Sequence, residues 1–292
     1  MRITNATLAK EALSGFQAQM RAVEAARREA TTGLRVSRPS DDPLAVAGVM
    51  QSSSGLRALE QYRRNLEWAR SRLDFEDSVA DQLGGALERA KELAVSQVGA
   101  TASAATRAAT AQEVTRLADF AEDLANTRFA GSYLFGGQHA DRPPFVDGAT
   151  DPDRPPSGSL RVEAGAMLVI DTNHSAQELF VDTGAIQALR DLAASLEAND
   201  ARGVATAMSA LDRSHGDVQK LVGDLGARMN HVDVALTNLD SLEVNLQTFR
   251  SSLEDADLTA AVTRLVERQG ALEAAMLANS KILNLALTDY LR

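Results

Sequence analysis

The chain contains no cysteine, which excludes disulfides and thiolate metal sites and leaves the compartment open. Aromatic residues make up only 4% of it, with one Trp and three Tyr. Large globular cores and ligand cages use more, whereas helices packed lengthwise through Ala and Leu need few. Basic residues are outnumbered 40 to 30, giving a formal charge of −10, and they cluster only as pairs such as Arg27-Arg28 and Arg63-Arg64. The basic stripe of a nucleic-acid binder is therefore missing. No apolar run approaches the ~18 residues that would predict a membrane span. The opening MRITNATLAKEALSG lacks the basic region and apolar core of a cleavable secretory signal. Residence in the cytoplasm, or export by a route that reads no cleaved signal, is expected.

What the chain does have is a heptad pattern at each end. Leu258, Val262, Leu265, Gln269, Leu272, Met276, Asn279, Leu283, Ala286 and Tyr290 alternate steps of four and three, with Leu287 beside the last of them. This predicts a helix from 258 to 290, on the order of 50 Å long, with one apolar stripe that needs a partner. Ala9, Leu13, Phe16, Met20 and Val23 repeat the spacing near the N-terminus, followed more weakly by Ala30 and Leu34, with Arg27 interrupting it. The two terminal helices are expected to pair as a coiled coil. Buried Gln269 and Asn279 would set register, and on a wet edge they would not.

Between these ends the pattern is nearly mirror-symmetric. Pro39 and Pro43 break the first helix, and Asp42 before Pro43 offers an N-cap for the next. Helix-rich stretches follow over 44–137 and 185–253, carrying faces such as Leu56, Leu59, Leu66, Leu73, Leu83, Leu87 and Leu93. A further stretch runs Val114, Leu117, Leu124 and Phe129. Gly84-Gly85 suggests a bend and Gly99–Thr106 a separation between helices. Five of the seven prolines lie in the centre. There, runs such as Leu160–Val162 and Met167–Ile170 read as short strands joined by turns. Asp257 offers the N-cap of the last helix. The expected fold is mainly α with a small β-rich insert. It is an elongated hairpin with paired terminal helices, a central helical bundle and the insert at the tip. The expected domains are a terminal module (1–36 and 258–292), linkers (37–43 and 254–257), a helical rod (44–137 and 185–253) and a variable insert (138–184).

Catalytic and metal-binding patterns are weak. His139, His174, His215 and His231 form no i,i+4 pair and have no carboxylate at ligand spacing, so structural or solvent-facing roles are expected. Asp147, Asp151 and Asp153 lack the ligand order of an EF-hand. Gly136-Gly137 opens no helix, and no Ser/His/Asp grouping sits on an elbow motif. Neither an enzyme nor a cofactor is expected.

Five segments resemble the flagellin superfamily, and within it the branch that joins hook to filament. They are the opening MRITNATLAKEALSGFQAQM, GLRVSRPSDDP at 33–43, RFAGSYLFGG at 128–137, SSLEDADL at 251–258 and SKILNLALTDYL at 280–291. The resemblance implies a non-enzymatic flagellar subunit that forms a ring or layer with copies of itself. Its implied partners are a junction protein on the hook side, flagellin on the distal side, and an export chaperone holding the C-terminal helix. It also implies export through the flagellar type III apparatus to the cell exterior. Carried onto this chain, the assembly interface takes in Leu13, Phe16, Met20, Val23, Leu258, Val262, Leu265, Leu272, Met276, Asn279, Leu283, Ala286, Leu287 and Tyr290. The domain junction takes in Arg38, Pro39, Asp41, Asp42, Pro43, Glu254, Asp255 and Asp257. Flagellin itself, and in another class a cytoplasmic coiled-coil adaptor or chaperone, are the alternatives.

Overall fold

A computed structural model describes residues 5–98 and 103–290, apart from the side chains of 5, 6, 8, 9 and 281–290. It is 75% helical. The helices are α1 (Asn5–Thr32), α2 (Pro43–Val98), α3 (Ala104–Ala125), α4 (Ala185–Glu197), α5 (Ala201–Glu254) and α6 (Leu258–Tyr290). Between α3 and α4 lie two small antiparallel ladders, β1 (Arg128–Phe129) with β2 (Ser132–Tyr133) and β3 (Arg161–Gly165) with β4 (Leu168–Asp171). A 3-10 turn at Gly137–His139 and a π-helical turn at Gln177–Asp182 complete the insert.

The chain divides into two compact units, Met1–Ala58 with Leu242–Arg292, and Leu59–Ser241. The division falls inside α2 and α5, not at the expected linkers 37–43 and 254–257. Those segments are bonded across to one another and cap the adjoining helices, so they pack within the first unit.

The second unit is built on heptad columns. Along α2, Leu66, Leu73, Ala80, Leu87 and Ala94 recur every seven residues, and all are buried. Along α5, Val204, Leu211, Val218, Leu225, Val232 and Leu239 do the same. Ion pairs set their antiparallel register. Arg63 pairs with Asp240, Arg70 with Asp233, and Lys91 with Asp212, so each heptad gained along α2 is a heptad lost along α5. Exposed pairs of this kind contribute at most about 1 kcal/mol each, so they select register while the columns supply stability. α3 adds Val114, Ala118 and Ala121, and α4 adds Ile186, Leu189, Leu192 and Leu196 to the same core.

Several expectations are corrected. α2 runs unbroken through Gly84-Gly85, and a Cβ on Gly84 would meet Gln219 and His215 at ordinary van der Waals distance. α3 stops at Ala125, and Phe129 lies in β1, edge-on to Trp68 at 6.1 Å. Ser103 N-caps α3 through the Thr106 N–H, and residues 99–102 lie outside the described residues. The insert is built of short strands joined by turns, as expected. Of its two proposed strand runs, the β3–β4 ladder pairs Val162 with Ile170 and Glu163 with Val169, and much of the remainder is turns. Phe135 packs edge-on against Phe180 at 5.3 Å, which joins this otherwise irregular segment to the helical core.

Candidate assembly interface

The first unit begins with the crossing between α1 and α2. α1 ends at Thr32, four residues short of the expected boundary, because Gly33 adopts φ +70° and its N–H closes on Glu29 O at 3.0 Å. A left-handed residue after the last turn is the usual helix stop, and glycine adopts it without strain. The chain then runs antiparallel to the return crossing. Leu34 bridges Asp255, the Arg35 N–H donates to Glu254 O at 2.7 Å, and the Ala256 N–H donates to Gly33 O at 2.8 Å. Arg35 also donates from Nη2 to Leu253 O at 2.6 Å, which satisfies a carbonyl in the last turn of α5.

Capping carboxylates hold the rest of this crossing. Asp41 Oδ2 accepts from the backbone N–H of Arg38 at 2.9 Å and of Ser37 at 3.2 Å, with Pro39 exposed in the loop between. Asp42 Oδ1 accepts from the Ala45 N–H at 3.1 Å and so caps α2, whose first residue is Pro43. On the return side, Glu254 pairs with Arg250 at 3.3 Å and Asp255 accepts from the Ser251 hydroxyl. Asp257 Oδ1 caps α6 through the N–H groups of Thr259 and Ala260 at 2.9 and 3.2 Å.

The Ser37 backbone hydrogen bond holds the Asp41 carboxyl below its ordinary pKa, and the Ala45 bond does the same for Asp42. Because these folded-state values are depressed, the two groups stabilise the crossing fully above the ordinary carboxylate pKa. That contribution is lost as pH falls through the lowered values. In a pH titration, the Ser37 and Ala45 amide resonances are expected to hold position down to about pH 4 and to move only below it. Movement centred above that pH would contradict the capping geometry.

α1 and α6 pair antiparallel. Asn279 Nδ2 donates to Ala12 O at 3.3 Å, and Arg264 pairs with Glu29 at 2.8 Å farther along. The inward stripe of α1 is Ala12, Phe16, Gln19, Val23, Ala26 and Ala30; that of α6 is Ala261, Leu265, Leu272, Ala275 and Asn279. Both keep heptad spacing, but each is turned relative to the expected seam. One column of each, through Phe16 and Val23 or through Leu265, Leu272 and Asn279, faces inward as expected. The other inward column is alanine-rich, and Arg27 is exposed beside buried Ala26, so it interrupts nothing. Asn279 sets register, whereas Gln269 lies in solvent.

The large residues expected in the second column instead point outward. Leu13 and Met20 on α1, and Val262 and Met276 on α6, are each about half exposed or more, joined by Val266, Leu277 and, at the start of the Leu265–Leu272 column, Leu258. Alanine at the inner positions lets the two helices approach closely, which leaves the bulky apolar side chains for a second surface. The side chains of Leu283, Ala286, Leu287 and Tyr290 lie outside the described residues. In the same unit, a Cβ on Gly48 would stand 2.6 Å from Leu253 Cδ1, and one on Gly55 would stand 3.0 Å from Leu246 Cδ1. The two glycines lie one heptad apart, at the close approach of α2 to α5, and they were not singled out from the sequence.

One polar residue was also underrated. His174 is buried between Glu76 and Asp224, partners that lie far away in the chain and so could not be read from local spacing. Among the described residues no group of three or more His, Cys, Asp or Glu could hold a metal ion. No described helix is long and apolar enough to cross a membrane.

Both ends of the chain match family models. The bacterial flagellin N-terminal helical region matches residues 3–140, and the bacterial flagellin C-terminal helical region matches residues 208–291. Flagellar hook-associated protein 3 of Escherichia coli is 29% identical, over 88% of this chain and 89% of its own. The protein of the same name from Salmonella typhimurium is 27% identical, over 94% of each chain. The crystal structure of Bacillus cereus FlgL superposes with a TM-score of 0.60 at 18% identity, over 69% of this chain and 99% of that one, and so shares its fold. With both terminal helical regions matched, the chain belongs to the bacterial flagellin superfamily.

Proposed function

We propose that this protein is a structural subunit of the bacterial flagellum, acting at the hook–filament junction as the adaptor between hook and flagellin filament. The outward apolar stripe on the α1–α6 pair is the observation that carries this reading. The helices already satisfy each other through their inner columns, so Leu13, Met20, Leu258, Val262 and Met276 are left for neighbouring subunits. In sequence, Leu283 and Tyr290 continue the column of Val262 and Met276, and Ala286 continues that of Leu265 and Leu272; with Leu287 they are assigned to the same assembly module. The crossing residues Arg38, Pro39, Asp41, Asp42, Pro43, Glu254, Asp255 and Asp257 join the terminal helices to the start of α2 and the end of α5. Load then passes through helix caps and backbone hydrogen bonds.

The protein works mechanically and carries no catalytic activity. Its partners are copies of itself, the hook-side junction protein and flagellin, with a cytoplasmic export chaperone shielding the C-terminal helix before assembly. It leaves the cell through the flagellar export apparatus and functions outside it.

Gene deletion tests the reading. Cells lacking the protein are expected to export flagellin into the medium without attaching filaments. Loss of flagellin itself from the medium would favour a filament subunit, and filaments of normal length would overturn both. Protein confined to the cytosol would favour an adaptor or chaperone. Removal of residues 265–292 is expected to leave the unit Leu59–Ser241 folded, as judged by circular dichroism, and to abolish incorporation at the hook tip. Normal incorporation of that truncated chain would refute the role given to α6.

A further inference from the structure

We infer that His174 is a doubly protonated latch that seats the foot of the β3–β4 hairpin on α2 and α5, and that loss of its ring proton releases the hairpin. Glu76 occupies a core position of α2, one heptad from buried Ala69 and Leu83, and is itself completely buried. Its Oε1 accepts from the His174 backbone N–H at 2.8 Å and lies 2.7 Å from Nδ1. On the other side of the ring, Asp224 Oδ2 of α5 lies 3.0 Å from Nε2. A neutral imidazole has one N–H, so one of its nitrogens would turn a lone pair toward a carboxylate oxygen; the imidazolium donates to both.

Two arginines act on the same carboxylates. Arg228 of α5 donates from Nε to Asp224 at 2.6 Å and from Nη1 to Asn173 O at 2.9 Å. Arg72, one turn before Glu76 on α2, donates to Leu134 O. From the insert, Asn173 Oδ1 accepts the Leu160 N–H at 2.5 Å, and the Thr172 N–H and hydroxyl both donate to Leu160 O, at 2.9 and 3.0 Å. The ring is thus one residue from the bonds that close the hairpin base. Burial alone favours the neutral ring, but it is outweighed by the hydrogen bond and charge of Glu76 and the further bond to Asp224, against opposition from Arg228. The pKa therefore lies above the ordinary histidine value. With a raised folded-state pKa, the latch is fully engaged below about pH 6.5 and lost as pH rises through the raised value. The apolar columns remote from Glu76 and Asp224, such as Val204 and Leu211 of α5, carry no titrating group.

The test uses the full chain. Ring nitrogen resonances of His174 are expected to report two N–H groups at pH 6.5. Between pH 6.5 and 9, hydrogen exchange in the β3–β4 hairpin is expected to accelerate beyond its intrinsic pH dependence, the sign that a raised folded-state pKa requires. Exchange around Val204 and Leu211 should follow the intrinsic dependence alone. His174→Gln is expected to remove the extra step. Asp224→Asn removes a half-exposed partner and spares the core, and it is expected to move the release to lower pH. A single ring proton at pH 6.5 would overturn the inference. So would equal pH slopes in hairpin and helix, or an unchanged midpoint in Asp224→Asn.

Discussion

Glutamate introduced together at Met20 and Val262 is expected to abolish incorporation at the hook tip while leaving thermal unfolding of the isolated chain nearly unchanged. Both side chains are 49% exposed and face away from the inner seam of α1 and α6. Surface substitutions of this kind usually change stability by no more than about 0.5 kcal/mol each. In an assembled layer the same positions would be covered, and a buried unpaired carboxylate costs several kcal/mol. The effect repeats in every subunit contact, so a modest local penalty becomes a complete failure to assemble. Attachment scored on isolated hooks, beside a melting curve of the purified chain, separates the two effects. Phe16→Glu is the counterpart, because Phe16 lies on the inner stripe; it is expected to destabilise the α1–α6 pair before any question of assembly arises. Normal incorporation of the outer-face double variant would remove the apolar stripe from the interface.

Gly137→Ala is expected to be the most damaging single-methyl change in the insert. Gly137 has φ +59°, and a Cβ there would stand 2.2 Å from Ser157 O and 2.6 Å from Ser157 C. Both are backbone atoms and cannot rotate away, and Ser157 O also accepts the Gln138 N–H at 3.0 Å. The left-handed conformation alone costs roughly 1–2 kcal/mol for a residue with a Cβ. Displacing the Ser157 backbone should raise the total to about 4 kcal/mol, within the range of strain at special backbone positions. Because Leu134 and Phe135, just before it, are fully buried in the core of the second unit, the loss should be felt there. A fall in melting temperature of about 10 °C is expected at ~2–4 °C per kcal/mol for a unit of this size. Gly131→Ala provides the control. Gly131 also has positive φ, at +90°, but a Cβ there would meet nothing within 4 Å, so only the conformational cost applies. Equal melting temperatures for the two variants would show that the Ser157 contact does not matter.

The helices of this protein were legible because their causes are local. A heptad spacing, an Asp before Pro43 and an Asp before Leu258 each act within a few residues of chain. The break at Gly33 was missed by four residues because a left-handed stop outweighed the helical periodicity running through Leu34. Phe129 was placed on a helix because an apolar residue at helical spacing does not reveal that the chain has already turned into a hairpin. The insert was legible only as a change in composition. Its chain is seated by Phe135 on Phe180 and by His174 between Glu76 and Asp224, and such partners leave no periodic trace.

The amino-acid sequence by itself determined that the chain is mainly helical, that its two ends carry matched heptads, and that it belongs with the flagellins. Heptad spacing, capping residues and ordered motifs are properties of neighbouring residues, and they survive without a partner in view. Only the tertiary structure decided which side of each terminal helix faces inward. A four-three repeat fits adjacent stripes of one helix equally well, and Ala12, Ala26, Ala261 and Ala275 win the inner face because small side chains let the helices close together. The larger residues, which dominate the pattern when read along the chain, are thereby left on the outside.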